Sequence, residues 1–213
     1  VGLWPLTLLA FAKLLWLIQR APRLRTALAL GWWFGVGQFV LGLNWIATAF
    51  TYQSAMPAWL GWVSVLLLSL YLAVYPAMAT GLAWRYWRGD RLAIVFIFAA
   101  AWIVTEWLRA TMFTGFAWNP VGVSLLPTAA ARLATIIGTY GLSGLVVLMS
   151  GALLLIYERY RKTGFTLLAA IALVSLAKFG FDGAIAPSAA AGVPVTIVQP
   201  NIGQEEKWSA GYE

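Results

Sequence analysis

The feature that most constrains this chain is a succession of long apolar runs separated by short polar segments. Of its 213 residues, 62% are hydrophobic and only 10% are charged, whereas a soluble domain is about 45–50% apolar and about 25% charged. A water-soluble globule with so few charged residues could not cover this much apolar side chain with a polar surface. The sequence therefore predicts an integral membrane protein.

Six segments are apolar and long enough to be transmembrane helices. A bilayer core of about 30 Å requires about 20 residues of α-helix, and each segment approaches or exceeds this length. We therefore predict an all-α polytopic membrane bundle over residues 1–183. The predicted helices cover residues 3–19, 26–50, 57–84, 92–113, 139–157 and 164–181.

The Lys and Arg residues predict the orientation of this bundle. Nine of the fourteen lie in three alternate connections between the predicted helices: Arg20, Arg23, Arg25, Arg85, Arg88, Arg91, Arg159, Arg161 and Lys162. Because basic loops stay on the cytoplasmic side, both ends of the chain are expected outside the cytoplasm. The net charge of +7 is thus an orientation signal. Nucleic-acid binding would need a water-facing basic patch, so no nucleic-acid partner is predicted.

The chain contains neither Cys nor His. The absence of Cys excludes a cysteine nucleophile and a thiolate metal site within these residues, and the absence of His removes the commonest general base and metal ligand. We therefore predict no metal site and no cofactor here. Any catalysis in this stretch would rest on its seven carboxylates, its basic residues and its hydroxyls.

Residues 115–138, between the fourth and fifth predicted helices, do not fit a plain aqueous loop. The stretch is largely apolar and contains Pro120 and Pro127. Irregular backbone is tolerated at membrane depth only where protein or water covers it. We therefore predict a re-entrant or interfacial segment on the outer face.

The C-terminal tail predicts a second kind of structure. Residues 184–192 form a linker of small residues, and the β-branched run at 193–199 is typical of a buried strand. Because a single strand is not stable alone, we expect a soluble α/β domain to continue beyond Glu213. The chain also begins at Val1 inside an apolar run, which suggests a piece of a longer protein.

Glu106 and Arg109 are ionisable residues inside the fourth predicted helix, three positions apart and so on one helix face. Charged residues in apolar segments are costly and are functional candidates. One interpretation is a site that meets a lipid headgroup. The other is a structural ion pair that ties the helix to residues 115–120. The amides Gln38 and Asn44 are typical of hydrogen bonds between helices.

Three motifs together resemble the apolipoprotein N-acyltransferase family. Thr-Glu-Trp-Leu-Arg at 105–109, followed by Thr-Gly-Phe-Ala-Trp-Asn-Pro at 114–120, is similar to that family's outer-leaflet signature. Gly-Val-Gly-Gln-Phe at 35–39 and Gly-Leu-Asn-Trp-Ile at 42–46 resemble its second motif. The run Val-Gln-Pro-Asn-Ile-Gly-Gln-Glu-Glu-Lys-Trp at 198–208 resembles the junction between its membrane and nitrilase-like domains.

The resemblance implies a fold and an activity for the intact protein. Family members have eight transmembrane helices and a periplasmic αββα nitrilase-like domain, so this chain would hold six helices and the first nitrilase strand. Their Glu–Lys–Cys triad takes an acyl chain from a phospholipid as a thioester and gives it to the N-terminal diacylglyceryl-cysteine of an apolipoprotein. The triad is expected beyond Glu213, so no catalytic residue is predicted here and this stretch alone is expected to be inactive. The implied location is the bacterial cytoplasmic (inner) membrane.

The resemblance also suggests which residues meet substrate. Trp208 matches a tryptophan near the family's active site, or is otherwise a packing residue. Three residues at the membrane surface would line the path of the lipid: Gly115, Phe116 and Trp118. Glu106 and Arg109 would support them. The chain departs from the family pattern at Ala117, where Pro is common, and at Pro200, where Gly is frequent.

Two other classes of function remain open from the sequence. A small transporter or channel could use Gln38, Asn44 and the Glu106–Arg109 pair along a path. Against this, these residues cluster at the outer end, whereas transporter sites usually lie near the bilayer midplane. A non-catalytic membrane anchor or scaffold is the third possibility.

Overall fold

The computed structural model describes residues 3–52, 57–113 and 115–184, together with positions 196, 198 and 199. These residues are predominantly helical, with two short 3₁₀ helices at Val121–Leu125 and Ala129–Leu133. The α-helices are α1 (Trp4–Arg20), α2 (Leu24–Gly42), α3 (Asn44–Phe50), α4 (Trp59–Leu72), α5 (Val74–Tyr86), α6 (Arg91–Thr111), α7 (Ala134–Tyr157) and α8 (Arg161–Ala184).

The described helices include four that are long and apolar enough to cross a membrane. They cover Trp59–Tyr86, Arg91–Thr111, Ala129–Tyr157 and Arg161–Gly180. The bent pair α2 and α3 would make a fifth span. The chain is therefore a helical membrane protein. The first predicted helix, at 3–19, corresponds to α1, which has 17 residues and is about 25 Å long. It is not among these candidate spans, so the total of six spans stays a prediction.

Two of the predicted helices are interrupted in the structure, one by a bend and the other by a single residue within one candidate span. The second, predicted at 26–50, bends by 45° between α2 and α3, where Leu43 is fully buried. The third, predicted at 57–84, is interrupted at Ala73 between α4 and α5. Pro76 explains this second break, because proline has no N–H for the carbonyl four residues earlier and its ring clashes with that carbonyl.

The most extensive helix–helix contact in the described bundle joins α2 to α5, and small residues contribute to it. A Cβ atom at Gly31 would lie 2.5 Å from the Pro76 carbonyl oxygen and closer still to the Thr80 hydroxyl. The Thr80 hydroxyl donates a hydrogen bond of 2.8 Å to the carbonyl of Ala27 on α2. Small residues that let helix backbones approach are the usual means of association in membranes.

Aromatic rings from α1, α2 and α6 form the centre of the core. The Phe11 ring stands edge-on to the Trp102 ring, with centroids 4.6 Å apart, and Phe34 lies 4.9 Å from Phe11. Phe98 is fully buried beside them. This cluster fixes α6 against the first two helices, and so positions the charged residues one turn further along α6.

The predicted linker at 184–192 and the predicted strand at 193–199 lie almost wholly outside the described residues. Of the strand, only Thr196, Val198 and Gln199 are described, and they have no regular secondary structure. The nitrilase-like continuation over 193–213 therefore stays a prediction.

Candidate functional site

The stretch from 115 to 133, here called the α6–α7 segment, folds onto the bundle as two 3₁₀ turns. The first packs against α7 and the second against α7 and α8. Val121, Gly122 and Leu125 are buried, and the backbone N–H of Gly122 donates a 2.8 Å hydrogen bond to the Ser143 hydroxyl. The two 3₁₀ turns are thus partly covered by protein, whereas residues 117–119 are exposed.

Glu106 and Arg109 lie at the end of α6 that adjoins this segment. They are 4% and 2% exposed, respectively. One guanidinium nitrogen of Arg109, Nη2, lies 3.6 Å from Glu106 Oε1. Because an isolated buried charge is far more costly than a paired one, the two residues depend on each other.

The guanidinium of Arg109 lies 5.1 Å from the centroid of the Phe39 ring on α2, and the pair also forms hydrogen bonds to the α6–α7 segment. Arg109 Nη1 donates to the carbonyl oxygens of Phe116, at 3.0 Å, and Trp118, at 2.6 Å. Glu106 Oε1 accepts a 3.0 Å hydrogen bond from the backbone N–H of Val121. These are the contacts expected of the structural interpretation, in which the pair ties the helix to the following segment.

The three residues expected to line a lipid path have different surroundings. Gly115 occupies a tight turn, with φ +72° and its N–H bonded to the carbonyl of Met112 at 2.9 Å. Phe116 packs against a buried cluster that includes Phe39. Trp118 is 64% exposed, and its ring lies 5.8 Å from that of Trp45.

A groove of about 680 Å³ opens beside this segment, between α1 and α2. Its walls are mainly apolar, and the polar side chains on them are Thr7, Gln38, Asn119 and Ser124. The residues expected to line the lipid path, 115, 116 and 118, are not on its walls; the residues that follow them, 119–121, are. Sequence reasoning missed this contribution, although Asn119 and Pro120 belong to the same motif.

A second, much smaller cavity of about 10 Å³ lies among α2, α5 and α6. Three buried atoms on residues that line it have no hydrogen-bond partner among the described residues: Gln38 Oε1, Trp102 Nε1 and Glu106 Oε2. The volume is close to that needed for one ordered water. Gln38 lines both this cavity and the larger groove.

Comparison with known proteins identifies the family. The sequence model of one protein family, the apolipoprotein N-acyltransferase N-terminal domain, matches residues 1–152. The chain belongs to this family. Apolipoprotein N-acyltransferases from Ralstonia nicotianae, Brucella melitensis and Haemophilus ducreyi are similar to it, with identities of 36%, 35% and 32% over 96%, 93% and 99% of the chain. The chain spans about 40% of the length of these relatives.

Family membership does not by itself locate a catalytic group in this chain. Trp208, matched to a tryptophan near the family's active site, lies outside the described residues. Within the described part, no group of three or more His, Cys, Asp or Glu side chains is placed to hold a metal ion. What the described residues supply is the charged pair, the segment it holds and the groove beside that segment.

The turn at Gly115 gives a first testable prediction for this site. Replacing Gly115 by Ala is expected to lower the free energy of unfolding by about 2 kcal/mol, since a Cβ there would combine the left-handed backbone penalty with a 2.5 Å contact to the Ala110 carbonyl oxygen. Equilibrium unfolding of the purified chain in mixed micelles measures this. The control is Gly89→Ala, where φ is +97° but no atom lies within 4 Å, with an expected loss of about 1 kcal/mol. If Gly115→Ala and Gly89→Ala lost the same free energy of unfolding, the contact with Ala110 would not contribute to the effect.

Proposed function

We propose that this chain is the membrane portion of an apolipoprotein N-acyltransferase, which transfers an acyl chain from a phospholipid to the N-terminal diacylglyceryl-cysteine of bacterial lipoproteins. The observation that carries the proposal is that family-motif residues 119 and 120 form one wall of the 680 Å³ groove. Its volume falls within the range of about 300–1,000 Å³ that is usual for ligand sites.

The acyl chain of the donor phospholipid would lie in this groove. Its α1 and α2 walls are lined by apolar side chains such as Leu6, Phe11 and Leu41. Gln38 and Asn119 supply polar contacts for the ester end of the lipid. The Glu106–Arg109 pair acts as a positioning device, because it fixes the backbone of the segment that forms the other wall.

The rest of the proposal concerns the intact protein. The basic loops lie in the cytoplasm, and the C-terminal segment lies on the periplasmic side of the inner membrane. Six helices of this chain span the bilayer. The nitrilase-like domain, with the Glu–Lys–Cys triad, follows residue 213 and receives the lipid from the groove, with Trp208 near the active site. Gly115, Phe116 and Trp118 lie at the membrane surface beside that path.

A chimeric enzyme tests this proposal. The part of the Ralstonia nicotianae relative that aligns with this chain is replaced by the chain and reconstituted in liposomes. Transfer of a labelled acyl chain to a peptide with an N-terminal diacylglyceryl-cysteine is then measured. We expect transfer by the chimera and none by the relative with that part deleted. A folded chimera without transfer would contradict the proposal.

The chain by itself is predicted to be inactive in the same assay. It contains no Cys, so it cannot form the thioester that the family mechanism requires. Incubation with a labelled phospholipid, followed by denaturing electrophoresis, should leave no label bound to the purified chain. Covalent labelling, or acylation of the peptide by the chain alone, would show that the chemistry differs from that of the family.

Filling the groove tests its role separately from folding. In the chimera, Gly37→Phe is expected to lower acyl transfer about tenfold at subsaturating lipid, because Gly37 lines the groove. A Cβ at Gly37 meets no atom within 4 Å, so the fold should be retained. Gly180→Phe on α8 is the matched control, since its Cβ is equally unobstructed and Gly180 is not on the groove walls. Equal rates for the two variants would exclude the groove as the lipid path.

A further inference from the structure

Two cationic side chains of α1 lie against one indole ring, away from the proposed acyl site. Lys13 Nζ is 3.9 Å from the centroid of the Trp16 ring, and Arg20 Cζ is 3.8 Å from it. Lys13 lies seven residues before Arg20 on the helix, which corresponds to about 10 Å. Its aliphatic stem thus runs along apolar surface toward the end of the helix where Arg20 lies.

A groove of about 300 Å³ adjoins these cations, between α1 and α7. Leu9, Ala12 and Leu153 contribute apolar walls, and Lys13 and Tyr157 contribute polar atoms. Tyr157 is 77% exposed and Lys13 is also exposed. The groove therefore opens on the outside of the bundle that the described residues form.

The charges around this groove are unbalanced. Glu158 accepts contacts from two arginines, with N–O distances of 3.8 Å to Arg20 and 3.3 Å to Arg91. Among the described residues, no carboxylate pairs with Lys13. Two arginines thus share one carboxylate, and the ammonium of Lys13 keeps its hydrogen-bond donors for another acceptor.

We propose that this groove binds an anionic phospholipid. The phosphate lies between Lys13 and Arg20, and one acyl chain occupies the apolar channel between α1 and α7. Basic pockets between transmembrane helices are suited to anionic headgroups. A protein helix in the same groove would have to place a carboxylate against Lys13 at membrane depth, whereas a phospholipid carries its phosphate next to its acyl chains. The site is separate from the proposed acyl donor site and does not depend on the proposed function.

Native mass spectrometry of the purified chain in detergent tests this proposal. The probes are phosphatidylglycerol and phosphatidylcholine with identical ether-linked chains, so neither can donate an acyl group. We expect tighter binding of phosphatidylglycerol. Lys13→Met should weaken it about fivefold, which is the effect of losing one basic side chain near a membrane surface. Ala12→Leu should weaken the binding of both lipids, because it narrows the groove without changing charge.

Arg25→Gln is the matched control, since Arg25 is exposed and outside the groove walls. It should leave phosphatidylglycerol binding unchanged. Unfolding measurements on each variant confirm that the fold is retained. The proposal would be overturned if the chain bound the two lipids equally well. It would also be overturned if Lys13→Met and Arg25→Gln weakened phosphatidylglycerol binding to the same extent. A dimer that Ala12→Leu dissociates would also overturn it, because the groove would then be a protein interface.

Discussion

Replacing Arg109 by methionine is expected to lower the free energy of unfolding of this chain by about 3–5 kcal/mol, the usual cost of breaking a buried ion pair from one side. The change leaves the carboxylate of Glu106 buried without its cation, and it removes the donor to the carbonyls of Phe116 and Trp118. Equilibrium unfolding in mixed detergent micelles, followed by circular dichroism, measures the loss.

Two further variants show whether this loss comes from the pair. The free energy of unfolding of Arg109→Lys should lie between those of the parent and the methionine variant. An ammonium keeps the charge but lacks the planar guanidinium group, which can donate to several acceptors at once. The double variant Glu106→Gln with Arg109→Met should lose less free energy of unfolding than the two single variants lose together, since no unpaired buried charge then remains.

Arg25→Met provides the matched control for these measurements. Arg25 is exposed, so its loss should change stability by no more than about 0.5 kcal/mol. If Arg109→Met were no more destabilising than Arg25→Met, the ion pair would not hold the α6–α7 segment. The proposed positioning of the groove wall would then lose its physical basis.

Replacing Gly31 by alanine is expected to cost about 1–3 kcal/mol, the usual penalty for adding atoms to a closely packed contact. The added Cβ would lie 2.5 Å from the backbone oxygen of Pro76, which cannot move without displacing α5. It would also meet the Thr80 hydroxyl, whose 2.8 Å hydrogen bond to Ala27 joins the two helices. Thermal or detergent unfolding of the purified variant measures the loss.

Gly37→Ala, on the same helix, is the control for this second prediction. No atom lies within 4 Å of a Cβ built there, so only helix propensity should change. Alanine is favoured over glycine by about 1 kcal/mol in a helix, and the variant should be unchanged or slightly more stable. If both alanine variants behaved alike, the close approach of α2 and α5 would not depend on Gly31.

Part of the candidate site could be predicted from the sequence. The spacing of Glu106 and Arg109 places them on one helix face, and the structure pairs them there; both interpretations of the pair stay predictions. Their partners on the α6–α7 segment could not be identified, because those partners are backbone atoms, which carry no mark in the sequence. The same holds for Ser143, which is 21 residues from the Gly122 amide that it accepts from.

The two helix interruptions also differ in how far they could be predicted from the sequence. The interruption at Ala73 follows from Pro76, which is visible in the sequence, but a count of apolar residues does not register it. The bend at Leu43 follows Gly42, a poor helix former, but its tertiary contact is not visible in the sequence. There the side chain of Asn119 lies so close to Gly42 that a Cβ would collide with its amide, and this contact joins residues 77 positions apart.

The sequence by itself determined that this chain is a helical membrane protein, approximately where its helices lie, and which family it resembles. These properties depend on the average hydropathy of a segment and on short motifs, and both involve only residues that are close together in the sequence. The tertiary structure decided which backbone atoms the Glu106–Arg109 pair holds and which helices form the two grooves. Those features depend on contacts between distant segments, because a groove exists only once several helices have packed against one another.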